Sequence, residues 1–196
     1  MVKKPVSAST KCKLYLCRHG ETEWTLSGQH TGQTDLPLTK RGEEQAVYLR
    51  KRLENIPFEA VFSSPKKRAV QTCGPIQHQL DPNLCEWDYG DYEGKTWTEI
   101  QQINPGWTIF DQGAPHGESP EQVGQRADAV LHKILTYSGN VALFSHGHFL
   151  RVLTARFLGM APEMGKLFLL SVASISILGF ERRQPVMQLW NSSQGF

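Results

Sequence analysis

"LYLCRHGETEW", residues 14–24, decides the fold. Four residues suited to a buried strand (Leu14, Tyr15, Leu16, Cys17) run without a turn into Arg18, His19 and Gly20. A core strand that ends in a guanidinium and an imidazole, followed by a glycine that lets the backbone bend, suits an anion at its carboxyl end. "NVALFS" (140–145) is apolar on both faces in the same way and runs into His146 and Gly147. "EAVFSS" (59–64) is a third such run, followed by Pro65 and Arg68.

Helical patterns lie between and beyond these strands. Thr39 caps a helix with Ala46, Leu49 and Leu53 on one face. Ser119, Pro120 and Gln122 begin a second helix, whose stripe is Val123, Ala127, Val130, Leu131 and Ile134. A third runs from about His148 to Leu158 and stops at Gly159. The apolar window 167–180 suits a buried strand, and the stretch 163–191 reads as two strands joined by a polar turn at Glu181–Gln184. The short 73–85 segment, with "QHQLDPNL" inside it, leaves little room for a strand. This alternation predicts an α/β fold: a single-domain three-layer α/β/α sandwich with a mainly parallel sheet and helices on both faces.

Ligands of such sheets bind beyond the carboxyl ends of the strands. Those ends carry Arg18-His19-Gly20, Ser63-Ser64-Pro65 with Arg68, and Ser145-His146-Gly147. Two guanidiniums and two imidazoles on one rim repel each other without a counter-anion, and the arginine fork matches phosphate oxygens. With Pro65 in the first turn of one helix and Gly147 before another, helix N-termini would add N–H donors. The rim is therefore expected to hold a phosphate dianion, with the Gly20 carbonyl fixing the tautomer of His19. A histidine nucleophile also needs a proton donor for the leaving oxygen. Glu86, between Leu84-Cys85 and the bulky Trp87, has surroundings expected to keep its carboxyl protonated for that work. Trp87, Tyr89 and Tyr92 read as packing residues, and His30 as either a loop surface residue or a substrate contact.

The bulk numbers limit the partners. The chain has 196 residues, 39% apolar and 20% charged, which suits one domain with a sizeable core. A net charge of +2 is too mild for nucleic acid or an anionic membrane surface, and the apolar window is too short for a membrane span. The expected partner is thus a small-molecule phosphorylated substrate, and the oligomeric state is left open. Residues 1–12 read as a flexible N-terminal tail and 13–196 as the domain. The four cysteines form no C-x-x-C pair and read as reduced thiols of a cytoplasmic protein. His146 and His148 have no third ligand at metal-binding spacing, so no metal is expected.

Taken together the motifs resemble those of the histidine phosphatase superfamily, also called phosphoglycerate mutase-like. "LYLCRHGETEW", "TGQTDLPLTKRGEEQA", "FSSPKKRAVQT", "CEWDYGDYEG", "HGES" and "VALFSHGHFLR" follow the family order over residues 13–151, and are most similar to the sedoheptulose bisphosphatase-type subgroup. The resemblance implies that His19 is the nucleophile that becomes phosphorylated. It implies that Arg18, Arg68 and His146 clamp the phosphoryl oxygens, and that Glu86 is the proton donor and then the base for water. Thr25 stands where the family carries asparagine. Thr31, Gly32, Gly147 and His148 join the implied phosphate- and substrate-binding set, Glu21 is a supporting position, and no cofactor is implied. Mutases of the family carry basic residues after the acid and a longer insertion. Here Trp87 and Asp88 follow it, an aspartate repels a substrate carboxylate, and the chain has no spare length. The expected activity is therefore a metal-independent phosphomonoesterase with a phosphohistidine intermediate, acting on a sugar phosphate or bisphosphate. Phosphoglycerate mutase-type transfer and a non-catalytic phosphate-binding relic are the alternatives. Thr25, Gln29, Thr31 and Gln33 are expected to meet sugar hydroxyls, and Lys95 and His148 a second phosphate.

Overall fold

The computed structural model describes residues 11–193. The strands are β1 (Lys13–Arg18), β2 (Phe58–Ser63), β3 (Gln79–Leu80), β4 (Asn140–Ser145), β5 (Ile175–Glu181) and β6 (Gln184–Ser192). The helices are α1 (Glu23–Ser27), α2 (Lys40–Leu53), α3 (Lys67–Cys73), α4 (Trp97–Ile103), α5 (Ile109–Gln112), α6 (Pro120–Ile134) and α7 (Gly147–Phe157). The sheet order is β3-β2-β4-β1-β5-β6, with β3, β2, β4 and β1 parallel and β5 and β6 antiparallel. The protein is a single α/β unit with a mixed, mostly parallel sheet. Two clusters of buried side chains lie against the sheet, one joining it to α6 and α7 and the other to α2.

Register places the site. Arg18 pairs with Ser145, and Ser63 with Phe144, so the carboxyl ends of β1, β4 and β2 lie side by side. His19 and His146 follow directly from adjacent strands, and their rings lie 5.2 Å apart. The two expected caps are present: Thr39 accepts from the Gly42 N–H, and Ser119 forms a reciprocal box with Gln122.

Several local expectations change. Residues 1–10 of the expected tail lie outside the described residues, but Cys12 is already buried against Ile134. The 73–85 segment does hold a strand, of two residues, paired in parallel with β2. Only the second half of the window 167–180 is strand. Its first half is a loop whose carbonyls are needed elsewhere: Leu170 O accepts from Arg18 Nη1, and Ser174 O from the Arg18 N–H. The β5–β6 turn carries Arg182 and Arg183 at φ of 45° and 74°, as a two-residue hairpin turn requires. Gly20 is needed for close approach, since a Cβ there would lie 2.5 Å from the Gly42 carbonyl oxygen at the start of α2.

Candidate active site

His19 sits at the floor of a cavity of about 290 Å³, whose wall includes Arg18, Trp24, Glu86, Tyr89, His148 and Arg151. Its Nδ1 lies 2.7 Å from the Gly20 carbonyl, so Nδ1 carries the proton and Nε2 keeps the lone pair. Burial, then the charges of Arg68 and Arg18, hold the imidazole well below its ordinary range, against the pull of the Gly20 bond. A neutral ring with a fixed tautomer is what nucleophilic attack through Nε2 needs.

Arg18 is half-buried with its Nη1 on the Leu170 carbonyl, while its buried Nε has no partner among the described residues. Gly147 makes room for it, since a Cβ there would lie 3.1 Å from the Arg18 Cζ. The Arg18 guanidinium lines the cavity beside His19, which makes it an anion donor there.

Arg68 and His146 are fully buried beneath His19 and do not line the cavity. Arg68 Nε donates to His146 Nδ1 at 3.1 Å, its Nη1 to Thr34 O, and its Nη2 to Thr31 O and Gly32 O. His146 Nε2 in turn donates to Ser64 Oγ at 2.8 Å. The expected two-arginine clamp is therefore unequal: Arg18 faces the cavity, whereas Arg68 ties down the 31–34 loop and supplies charge from below.

The helix N-termini expected to face the phosphate are both occupied by carboxylates. Pro65 lies outside α3, whose N-cap is Lys66, and the first N–H of α3, from Lys67, donates to Asp35 at 2.7 Å. In α7 the N–H groups of His148 and Phe149 donate to Glu86 at 3.0 and 2.9 Å, and the Trp87 N–H adds a third bond at 2.9 Å. Glu86 is thus held by backbone dipoles and not by the apolar sheath expected from its neighbours. Trp87 is buried with its indole N–H on Glu118 O.

The rim also differs from expectation. The Thr25 hydroxyl donates to Thr22 O inside a capping box, and that of Thr31 to Gln29 O. Gln29 bonds Gly94 O, and Gln33 bonds Asp88 and accepts from Lys66. The Gly32 N–H is taken by Glu93, and Gly32 lies outside the cavity wall. Lys95 turns away onto Asp91 O. Asp88 lines a cleft on the far side of Glu86, so it does not bear on a substrate carboxylate in the cavity. Glu21 is a strut, bonded to Thr39 and through its N–H to Gln45.

Thr25, Gln29 and Thr31 still line the cavity, and His30, His148, Tyr89 and Arg151 complete its polar wall. His30 donates Nδ1–H to Lys95 O, and its ring stacks 6.0 Å from that of His148. His148 Nδ1 lies 2.6 Å from the Tyr89 hydroxyl. Burial lowers the affinity of both imidazoles for a proton. Arg151, which carried no sequence signal beyond its place in "SHGHFLR", lies 4.3 Å over the Phe110 ring and donates to Gly165 O. Burial draws its guanidinium down to about 10. The i, i+3 spacing of His148 and Arg151 on α7 was the signal that could have paired them.

A profile of the histidine phosphatase superfamily (branch 1) matches residues 14–193. The chain belongs to that superfamily. An acid phosphatase of Mycobacterium tuberculosis is 38% identical over 86% of this chain and 87% of its own length. A sedoheptulose 1,7-bisphosphatase of Saccharomyces cerevisiae is 33% identical over 76% of this chain and 68% of its own. The solved structure of an open reading frame product of Mycobacterium tuberculosis superposes with a TM-score of 0.90 at 35% identity, covering 92% of this chain and 97% of that one. Phosphatases thus recur among the relatives of this histidine phosphatase, and the family supports a phosphomonoesterase. No helix among the described residues is long and apolar enough to cross a membrane.

Proposed function

We propose that this enzyme hydrolyses a small phosphorylated metabolite, a sugar phosphate or bisphosphate, through a phosphohistidine on His19. One observation carries the reading: a buried imidazole with its Nδ1 tied to Gly20 O stands in the same cavity as the Arg18 guanidinium. In the first step the His19 Nε2 lone pair attacks phosphorus and the ester P–O bond breaks. Glu86, on the wall of the same cavity, gives its proton to the departing alkoxide. In the second step Glu86 takes a proton from water as that water attacks the phosphohistidine, and phosphate leaves with His19 neutral again. Arg18 takes up the charge on the transferring oxygens, with Arg68 and His146 adding field from beneath. The fixed cations do the work that a metal ion does in many phosphoryl-transfer sites.

The substrate class rests on size, chemistry and kinship. The cavity is at the small end of the ~300–1,000 Å³ that ligand pockets span, which favours a metabolite over a phosphopeptide. His30, His148 and Tyr89 offer hydroxyl partners, and Arg151 gives the cavity a second cation for a second phosphate. The sedoheptulose bisphosphatase relative lends the same support. Arg151 would equally hold a carboxylate, which keeps phosphoglycerate mutase-type transfer as a second reading.

The test is kcat/KM for phosphate release across sugar phosphates, nucleotides, phosphoglycerates and phosphopeptides, with phosphoglycerate interconversion assayed alongside. Sugar phosphates should lead. A nucleotide or phosphopeptide ahead by more than about tenfold, ~1.4 kcal/mol in transition-state binding, overturns the substrate class. Interconversion faster than hydrolysis overturns the phosphatase in favour of the mutase.

A further inference from the structure

Glu86 lies in an irregular segment. Pro82–Leu84 makes a single 3₁₀ turn, and Cys85–Tyr89 has no regular structure, so its backbone must find partners elsewhere. Three of its carbonyls are served by one guanidinium. Arg126, on α6, donates Nη1–H groups to Asn83 O and Cys85 O, both at 2.8 Å, and an Nη2–H to Glu86 O at 3.3 Å. Its Nε and Nη2 close a two-point bond on Glu118, at 2.7 and 2.8 Å. All five N–H donors of the side chain are thereby used.

Glu118 holds the other half of the segment. Its carboxylate accepts from the Asp88 N–H, its carbonyl from the Trp87 indole, and its own N–H donates to Asp88 O. The Arg126 Cζ also lies 4.7 Å from the centroid of Phe149, whose backbone N–H holds Glu86 Oε1. The pair therefore touches both things that aim Glu86: the backbone that carries it and the residue that anchors its carboxylate. Neither side chain reaches the substrate cavity. Both line the cleft behind Glu86.

We infer that Arg126 and Glu118 form a positioning pair that holds Glu86 in line with the leaving oxygen. The inference rests on the reading of Glu86 as the acid. A lysine at 126 keeps the charge but replaces a five-donor fork by a point, so it cannot span Asn83, Cys85, Glu86 and Glu118 together. Displacing an acid by a fraction of an ångström matters most where the leaving group needs its proton.

The experiment compares Arg126→Lys and Glu118→Gln with the parent enzyme on an alkyl phosphate and on p-nitrophenyl phosphate, whose leaving group departs without a proton. Each variant should lose about 10–100-fold in kcat on the alkyl ester and less than about 3-fold on the aryl ester. In a Glu86→Gln background Arg126→Lys should add less than about 3-fold on the alkyl ester, because its effect passes through the missing acid. Equal losses on both esters, or losses that multiply in the double variant, overturn the positioning role while leaving the acid in place. If Glu86→Gln itself lacks the leaving-group signature, the acid assignment fails and the pair's role falls with it. Should Arg126→Lys not fold, Glu118→Gln on the two esters decides.

Discussion

Arg68→Lys should unfold the enzyme early, although it preserves charge and keeps an aliphatic stem. Arg68 is fully buried and serves four acceptors: His146 Nδ1 and the carbonyls of Thr31, Gly32 and Thr34. These lie around a planar fork, and an ammonium at one point can reach two of them at most. At least two acceptors then lose their donor in a site that runs from half-buried at Thr31 and Thr34 to buried at Gly32 and His146, at up to about 1–3 kcal/mol each, giving a loss of ~2–6 kcal/mol. Against a total stability of about 5–15 kcal/mol this is large. At roughly 2–4 °C per kcal/mol for a chain of this size, Tm should fall by about 5–20 °C. Calorimetry or circular dichroism at pH 7.5 reads it, with Lys67→Ala as a control on the neighbouring exposed position. A Tm within about 2 °C of the parent would refute the reasoning, because the fork would then not be what holds the 31–34 loop beneath His19.

Further predictions follow from the same geometry. Glu86→Gln should lose about 10²–10⁴ in kcat on an alkyl phosphate and far less on p-nitrophenyl phosphate; equal losses would assign Glu86 a structural role. Acid quench and base quench during turnover should reveal a base-stable, acid-labile phosphoryl adduct that His19→Ala lacks, whereas an acid-stable phosphoester would contradict a histidine nucleophile. Chelator should leave the rate unchanged and vanadate should inhibit; a many-fold loss restored by magnesium or zinc would show that the cations here do not suffice. Nitrogen-15 NMR should place the titration midpoint of His19 below 6.5, since burial and the two arginines oppose its protonation. His30, His146 and His148 are lowered as well, each chiefly by burial. The unfolded chain therefore binds protons that these four imidazoles refuse. Stability present above about pH 6.5 should drain away as pH falls toward the lowered values, and a Tm that rises on acidification from pH 7 to 5.5 would reverse the sign.

Much of this was legible in the sequence because strand ends and motif spacing are local. Apolar-on-both-faces runs identified β1, β2 and β4, and side-by-side parallel pairing then brought Arg18, His19 and His146 together without any knowledge of loops. Caps at Thr39 and Ser119 were legible for the same reason, each bonding to a residue three positions on. What escaped was set by long-range pairing. Nothing local says that Asp35 would take the first N–H of α3, or that Glu86 would reach across to α7. Gln29 and Gln33 looked like free donors because their partners, Gly94 and Asp88, are distant in sequence. Arg126 carried no local signal in the sequence, and only the path of residues 83–88 gives its five donors a use.

The placement of Glu86 gives the site its economy of charge. The cluster of Arg18, Arg68 and Arg126 around two buried imidazoles needs negative charge nearby in every state of the cycle. Without substrate, the carboxylate on the N-terminus of α7 supplies it, and burial disfavours the Arg18 charge less because Glu86 opposes that effect. When a phosphate dianion enters, it brings two more negative charges beside the same arginines. In the proposed mechanism Glu86 is aimed for proton transfer in that state by the His148, Phe149 and Trp87 N–H groups. The same three N–H donors fix where the carboxylate stands in both proposed steps, so one residue can serve as acid and then as base from one position.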